Sequence, residues 1–491
     1  MATVGHRASP DAAQPLGGCI RGAIDEEFRS PEDRVKSHNH AVARFLTDLL
    51  GRLKSTTVGD TIASANLRPH LLCWALLAVC LLYMVQLWTP LRLNGDAIEL
   101  LSIASSAADG HGFLDHGQKT HYPPGYPAMV VCLDRVGEAR PWSLVGLNAL
   151  FLFVGFVSAK YVARHYFQLS SNWGTATLLF TALSFALIKH FTLTLTDIPF
   201  FGISMIAAAL MVRAEREPGA SYYIFWAAAL SISIVSVLVR PIAIALFPCL
   251  VWSLGAHLGF GEIRLNKRIL VGSAALTVVL ACAVSVLLLH TKYVQEALSV
   301  LARQGLGRSI RNILLFRVHE IGELSLNAPA SKLGVLAPLV WVFGVTGTVA
   351  LAVYVRHCRM GFVEVYLAAY MFILLLWPYG DTRFWTPVLP LMFAELFSLA
   401  QPWTFTGWKK YVTVLYSAVY ALMGLVALAY STWITFSGRE FPRRYGDDHL
   451  RPTYELFYSD PHVDRSRVYE PALELLQRYS GQPRHYTSAH K

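Results

Sequence analysis

Charge is scarce in this chain of 491 residues. Asp, Glu, Lys and Arg make up 15% of it, where a soluble protein carries roughly a quarter. An ordinary water-soluble globule is thereby excluded. The seven cysteines (Cys19, Cys73, Cys80, Cys132, Cys249, Cys282 and Cys358) show no metal-type spacing. Most fall in or beside apolar stretches, so they read as small packing residues, neither a disulfide framework nor a zinc site. The net charge is +10, yet no RNA- or DNA-binding motif accompanies it, and nucleic acid is not expected as a partner. Internal repeats are absent, and no cleavable signal peptide is expected. The first apolar stretch is expected to act as an internal signal anchor behind a polar tail. Within that tail, residues 41–54 have helical periodicity and read either as an amphipathic helix lying on the membrane or as loosely ordered chain.

Apolar residues are what the chain has in abundance, at 54%, and they come in long runs. Runs of about 16–22 residues point to transmembrane helices, since a barrel strand needs only about 10 alternating residues. About eleven spans are expected, at 71–89, 144–162, 173–188, 198–212, 222–239, 242–258, 269–289, 333–355, 362–377, 384–399 and 411–432. Residues 126–136 are too short to span and carry Asp134 and Arg135, so they read as a juxtamembrane or re-entrant piece. The fold class is all-α polytopic membrane protein, with juxtamembrane helices in the first outer loop. It divides into a cytoplasmic tail (1–69), a membrane module (70–435) and a short C-terminal tail (436–491) outside the cytoplasm. That tail is too small for an independent core and could cap an outer site or recruit an acceptor.

With the N-terminus in the cytoplasm, alternate loops hold Lys160, Arg164 and His165; Arg213 and Arg216; Arg264, Lys267 and Arg268; Arg356 and Arg359; and Lys409 and Lys410. This obeys the positive-inside rule, as basic residues that face anionic lipid should. The outer loops hold Asp96, Glu99, Asp197, Arg240, Asp381 and Arg383. One outer stretch, 290–332, breaks the rule with Lys292, Arg303, Arg308, Arg311, Arg317 and Lys332. Either the topology is wrong there or these cations bind an anion, and the loops on both sides, which obey the rule, favour the anion.

The first outer loop is the richest in chemistry. Asn94-Gly95-Asp96 opens a helical stretch that includes Glu99. Asp96 could be a helix cap, or a general base that takes a proton from an acceptor hydroxyl or amine. Glu99, one turn on, could position it or merely be solvated. His121-Tyr122-Pro123-Pro124-Gly125-Tyr126-Pro127 is stiffened by its prolines. It reads as a structural corner, with Tyr122 and Tyr126 able to stack on a sugar. Asp197, in Thr196-Asp197-Ile198-Pro199, returns to the same face. It could be a cap, could orient Asp96, or could share a divalent cation with it through oxygen ligands. That cation is the one candidate cofactor. Arg240 and Arg383 could snorkel to lipid, and Arg383 could pair with Asp381. With Arg308, Arg311 and Arg317 they could also hold a phosphate and relieve its charge as it departs.

These motifs, across residues 71–399, resemble the membrane-embedded GT-C glycosyltransferases, in particular the aminoarabinose- and protein-mannosyl-transferase-like branch. The resemblance implies transfer of a sugar from a polyprenyl-phosphate carrier, usually with inversion, to a lipid, glycan or protein acceptor on the non-cytoplasmic face. It implies Asp96 as base or its organiser, Asp197 as the second acidic position, and the basic stretch 290–332 as the grip on donor phosphate. His121, Tyr122, Tyr126 and Asp381 are the candidate substrate contacts. A bacterial inner membrane is the expected location, or the endoplasmic reticulum in a eukaryote. A secondary transporter is the alternative, supported by Lys189-His190 at a span end. A non-catalytic scaffold would explain the spans but not the first loop.

Overall fold

A computed structural model describes residues 69–120, 122–217, 219–258, 292–357, 360–401, 407–437, 440–444, 449–458, 460 and 462–481. The tail with its candidate amphipathic helix, His121 and the span expected at 269–289 lie outside these residues.

The described chain is helical: α1 Pro69–Val85, α2 Gly95–Ala108, α3 Gly125–Arg135, α4 Pro141–His165, α5 Ser171–Ala182, α6 Phe185–Phe191, α7 Asp197–Arg216, α8 Ala220–Val239, α9 Leu246–His257, α10 Lys292–Gln304, α11 Leu306–Leu326, α12 Ala330–Leu333, α13 Pro338–His357, α14 Phe362–Leu376, α15 Leu389–Ala400, α16 Trp408–Phe436, α17 Glu440–Arg444, α18 Arg451–Phe457 and α19 Glu470–Tyr479. A two-stranded hairpin, Leu114–Asp115 against Gln118–Lys119, follows α2. Among the described residues, five helices are long and apolar enough to cross a membrane, or up to seven if each of two bent pairs is one span. Three shorter apolar helices, Pro241–His257, Phe362–Leu376 and Leu389–Ala400, lie where further spans are expected. The protein has the helices of an integral membrane protein, and each expected span that is described falls on an apolar helix or a bent pair.

Close approach between helices relies on glycine, as in membrane bundles generally. A Cβ at Gly202 would sit 2.5 Å from the Phe151 carbonyl oxygen, and one at Gly155 would strike the Phe201 ring, so α4 and α7 lie nearly backbone to backbone. Gly322 and Gly344 do the same for α11 and α13, against the carbonyls of Val340 and Val318. The stretch 290–332, read from sequence as a basic loop, is therefore largely α10 and α11, and α11 is packed on a membrane helix. Its charges masked that helical character.

The third expected span is broken. Between α5 and α6 the axis turns by 56°. Such a break frees backbone groups that a bilayer cannot hydrate. Asn327 takes them: its Oδ1 accepts from the Phe185 amide (2.7 Å), and its Nδ2 donates to the carbonyls of Leu183 and Tyr420 (both 2.8 Å). The Asn327 backbone is itself left-handed, φ 55°, a conformation that asparagine tolerates better than most residues. Asn148 then holds the chain beyond α6 through the carbonyls of Phe191 and Leu193 (2.8 Å each).

Among the described residues, two large apolar cores and a small one around Ala163, Leu169, Ala394 and Phe397 result. The larger fills the bundle. The second joins α2 and α3 to the C-terminal helices, with Leu100, Leu101, Tyr126 and Val130 packed among Phe441, Leu450, Tyr454, Leu475, Leu476 and Tyr479. Arg478 ties the same elements, donating to Ser105 Oγ (2.7 Å), Asp109 (2.8 Å) and Asp134 (3.0 Å). The C-terminal tail thus has no core of its own and shares one with the first loop.

Candidate active site

An isolated parallel bridge between Arg92 and Leu193 organises the site. Leu91, Leu93, Leu193 and Leu195 enter the second core, so the chain after α1 and the chain before α7 run side by side. Asp96 lies four residues beyond Arg92, and Asp197 four beyond Leu193. Equal offsets from a parallel bridge bring the two acids to the same end of the bundle. Arg92 locks this arrangement to α16. It is 3% exposed and donates to the Ser431 carbonyl and Thr435 Oγ1 (3.0 Å each) and to Thr89 Oγ1 (2.9 Å). The opposite ends of α4 and α7 meet through His165 and Arg216, and the end of α4 meets the start of α14 through Tyr166 and Glu364 (2.5 Å). The basic ends and the acidic site are therefore at opposite ends of the bundle.

Asp96 is in the first turn of α2, whose cap is Asn94: its Oδ1 accepts from the Ala97 amide (2.9 Å). Asp96 is thus released from the capping role that its position suggested. One of its oxygens accepts from Tyr122 Oη at 2.8 Å, and the other is paired with Arg383. Its side chain remains 31% exposed. Asp381 caps the turn that carries Arg383, accepting from its amide at 3.0 Å, and pairs with its Nε at 3.3 Å. Asp197, 2% exposed, is paired with Arg240. The two guanidiniums lie over one ring, Phe384, with centroid distances of 5.4 Å (Arg240) and 5.2 Å (Arg383). Such stacking lets two like charges share a small space beside their carboxylates. Burial works against the charge on Arg383, but Asp197, Asp96 and Asp381 more than offset it and push its pKa further up. Burial likewise opposes charge on Asp381, and His190, Arg383 and Lys189 outweigh it, holding that carboxyl below the usual range.

Asp96, Asp197, Asp381, Arg240, Arg383 and Tyr122 therefore converge. The Pro-Pro-Gly turn assists, because Gly125 lies against the end of α8, where a Cβ would be 2.5 Å from the Leu238 carbonyl oxygen. Glu99 is half-buried one turn along α2. Tyr126 is wholly buried in the second core, so it has no face open to a sugar. Arg308 and Arg311 are exposed on α11. Arg317 is buried, paired with Glu320 and donating to the carbonyls of Trp377 (3.1 Å) and Tyr379 (2.5 Å). Glu320 also accepts from Trp385 Nε1 at 2.7 Å. The guanidinium of Arg317 is thereby occupied in holding the loop that carries Asp381 and Arg383, one step behind the site. For a divalent cation the fit is poor: among the described residues no group of three or more His, Cys, Asp or Glu side chains comes together to hold one, and the carboxylates of Asp96 and Asp197 each already face an arginine.

Phe384 and Arg92 escaped the sequence reading. Their signal was faint: an aromatic next to Arg383, and an arginine just outside a span.

No protein-family model and no curated protein matches the chain. Two solved structures do, both of ArnT from Cupriavidus metallidurans. One is bound to undecaprenyl phosphate (14% identity, TM-score 0.46) and one is in the apo state (15%, 0.45). Each match covers 82% of this chain and 84% of that one. The chemistry of the site rests on this chain's own residues.

The hydrogen bond from Tyr122 to Asp96 gives a graded test. Tyr122→Phe removes one bond to a charged group, generally worth about 1.5–3 kcal/mol. Turnover is expected to fall roughly tenfold or more with little change in melting temperature. Unchanged turnover would detach Tyr122 from the chemistry.

Proposed function

We propose that this protein is a membrane glycosyltransferase that moves a sugar from a polyprenyl-phosphate carrier to a lipid, glycan or protein acceptor on the non-cytoplasmic side. The observation that carries the reading is Asp96: a carboxylate partly open to solvent, held by Tyr122 and Arg383 at the acidic end of the bundle. The acceptor O–H or N–H attacks the anomeric carbon and its proton passes to Asp96. The bond from that carbon to the phosphate oxygen breaks, and its electron pair leaves with the phosphate. Arg383 and Arg240 relieve the charge that grows there. Attack on the face opposite the phosphate inverts the configuration. Asp197 organises Arg240. No step requires a metal ion. The basic ends of α4 and α7 suit the cytoplasmic side, as an inner-membrane protein with its C-terminus outside would have.

A secondary transporter is the second reading. It is favoured by the broken span α5–α6 with Lys189 and His190 just past the break, since broken helices with ionisable residues mark transport sites. Reconstitution into vesicles separates the two. A polyprenyl-phosphate-linked sugar is supplied with candidate acceptors, and released polyprenyl phosphate is measured. Release that requires acceptor supports the enzyme; solute flux with no such release would replace it with the transporter.

A further inference from the structure

The arginines that converge here, and the one behind them, face carboxylates: Arg240 faces Asp197, Arg383 faces Asp96 and Asp381, and Arg317 faces Glu320. An arriving phosphate must break one of these pairs or meet a cation that none of them holds. Lys189 is such a cation. It is exposed, while the other six residues of α6 (Phe185, Ala186, Leu187, Ile188, His190 and Phe191) are at most 4% exposed. A lysine in so sealed a helix is tolerable only where its ammonium reaches an opening. That exposed point lies on a helix that packs on the turn carrying Arg383, and the ammonium favours the ionised form of the Asp381 carboxyl in that turn. It forms no ion pair with a described residue.

We propose that Lys189 binds the phosphate of the lipid-linked donor, its ammonium moving from the field of Asp381 to the phosphate oxygens. The inference rests on the glycosyltransferase reading and extends it to a donor-binding residue. With Lys189 the three carboxylates Asp96, Asp197 and Asp381 are balanced by three cations; without it the site is net negative and repels a phosphate. A lysine suits the task, being a point charge on a flexible stem that can follow the phosphate as it departs. It makes and breaks no covalent bond.

The test uses the full chain in lipid nanodiscs and farnesyl phosphate as probe, with farnesol and inorganic phosphate alongside. Lys189→Met is expected to weaken farnesyl phosphate binding roughly 10- to 100-fold, the range for losing a hydrogen bond to a charged group. Lys189→Arg should stay within about threefold, because it keeps the charge. Farnesol should bind both variants and wild type alike, which also reports that they are folded. In turnover, Lys189→Met should raise KM for the donor more than it lowers kcat. If wild type binds farnesyl phosphate and Lys189→Met binds it equally well, Lys189 loses this role while the glycosyltransferase reading stands. If wild type does not bind farnesyl phosphate, that reading itself falls. Displacement of farnesyl phosphate by an equal concentration of inorganic phosphate would overturn the lipid as the source of the bound group.

Discussion

Asp96→Asn is expected to lower kcat for sugar transfer roughly 10²- to 10⁴-fold, the usual contribution of a positioned general base. The geometry makes this substitution unusually informative. The amide oxygen that replaces Asp96 Oδ1 can still accept from Tyr122, whose hydroxyl is 2.8 Å from that position. Arg383 keeps Asp381 as a partner at 3.3 Å. Helix α2 keeps Asn94 as its cap. Only the negative charge and the basic lone pair are lost, so melting temperature should barely change and donor binding should not weaken. A variant that binds donor normally and turns over at near the wild-type rate would remove Asp96 from the reaction.

Arg240→Ala is expected to act first on stability. It leaves the Asp197 carboxylate 2% exposed and unpaired. Breaking a buried ion pair from one side typically costs about 3–5 kcal/mol. The double variant Arg240→Ala/Asp197→Asn removes the stranded charge and should recover much of that loss. Neither single effect predicts the double by addition, because the residues share one interaction. Thermal unfolding of the four proteins in the same detergent provides the cycle. A double variant no more stable than Arg240→Ala alone would mean that the pair does not carry the stability. Donor affinity should stay low in the double variant, since the guanidinium stacked on Phe384 is gone; full recovery of donor affinity would take Arg240 out of the phosphate site.

The spans were legible because a bilayer demands long apolar runs, and composition alone displays them. The break at Leu183-Ser184 was not, because it depends on Asn327, far along the chain. Asp96, Asp197, Arg240 and Arg383 read from sequence as span-end residues of one face, and the structure brings these four together while Arg308, Arg311 and Arg317 stand apart. Its cause, the bridge between Arg92 and Leu193, has no local signature. Arg317 shows the limit most plainly. As a residue in a basic stretch it resembled a phosphate ligand, and only three-dimensional packing reveals Glu320, Trp385 and two carbonyls around it. The same holds for Tyr126, a candidate sugar contact by sequence and a core residue by packing. The C-terminal segment looked too small to fold, which is correct for the segment alone; much of its core is contributed by α2 and α3, near the other end of the chain.

That shared core has a consequence for biosynthesis. Helix α2, which carries Asp96, buries Leu100 and Leu101 against Leu450, Tyr454, Leu475 and Leu476. These partners follow α2 by more than 300 residues in the chain. During translation α2 therefore waits with Leu100 and Leu101 uncovered until α18 and α19 have been made. Truncation before α18 is expected to leave Leu100 and Leu101 of α2 without these partners.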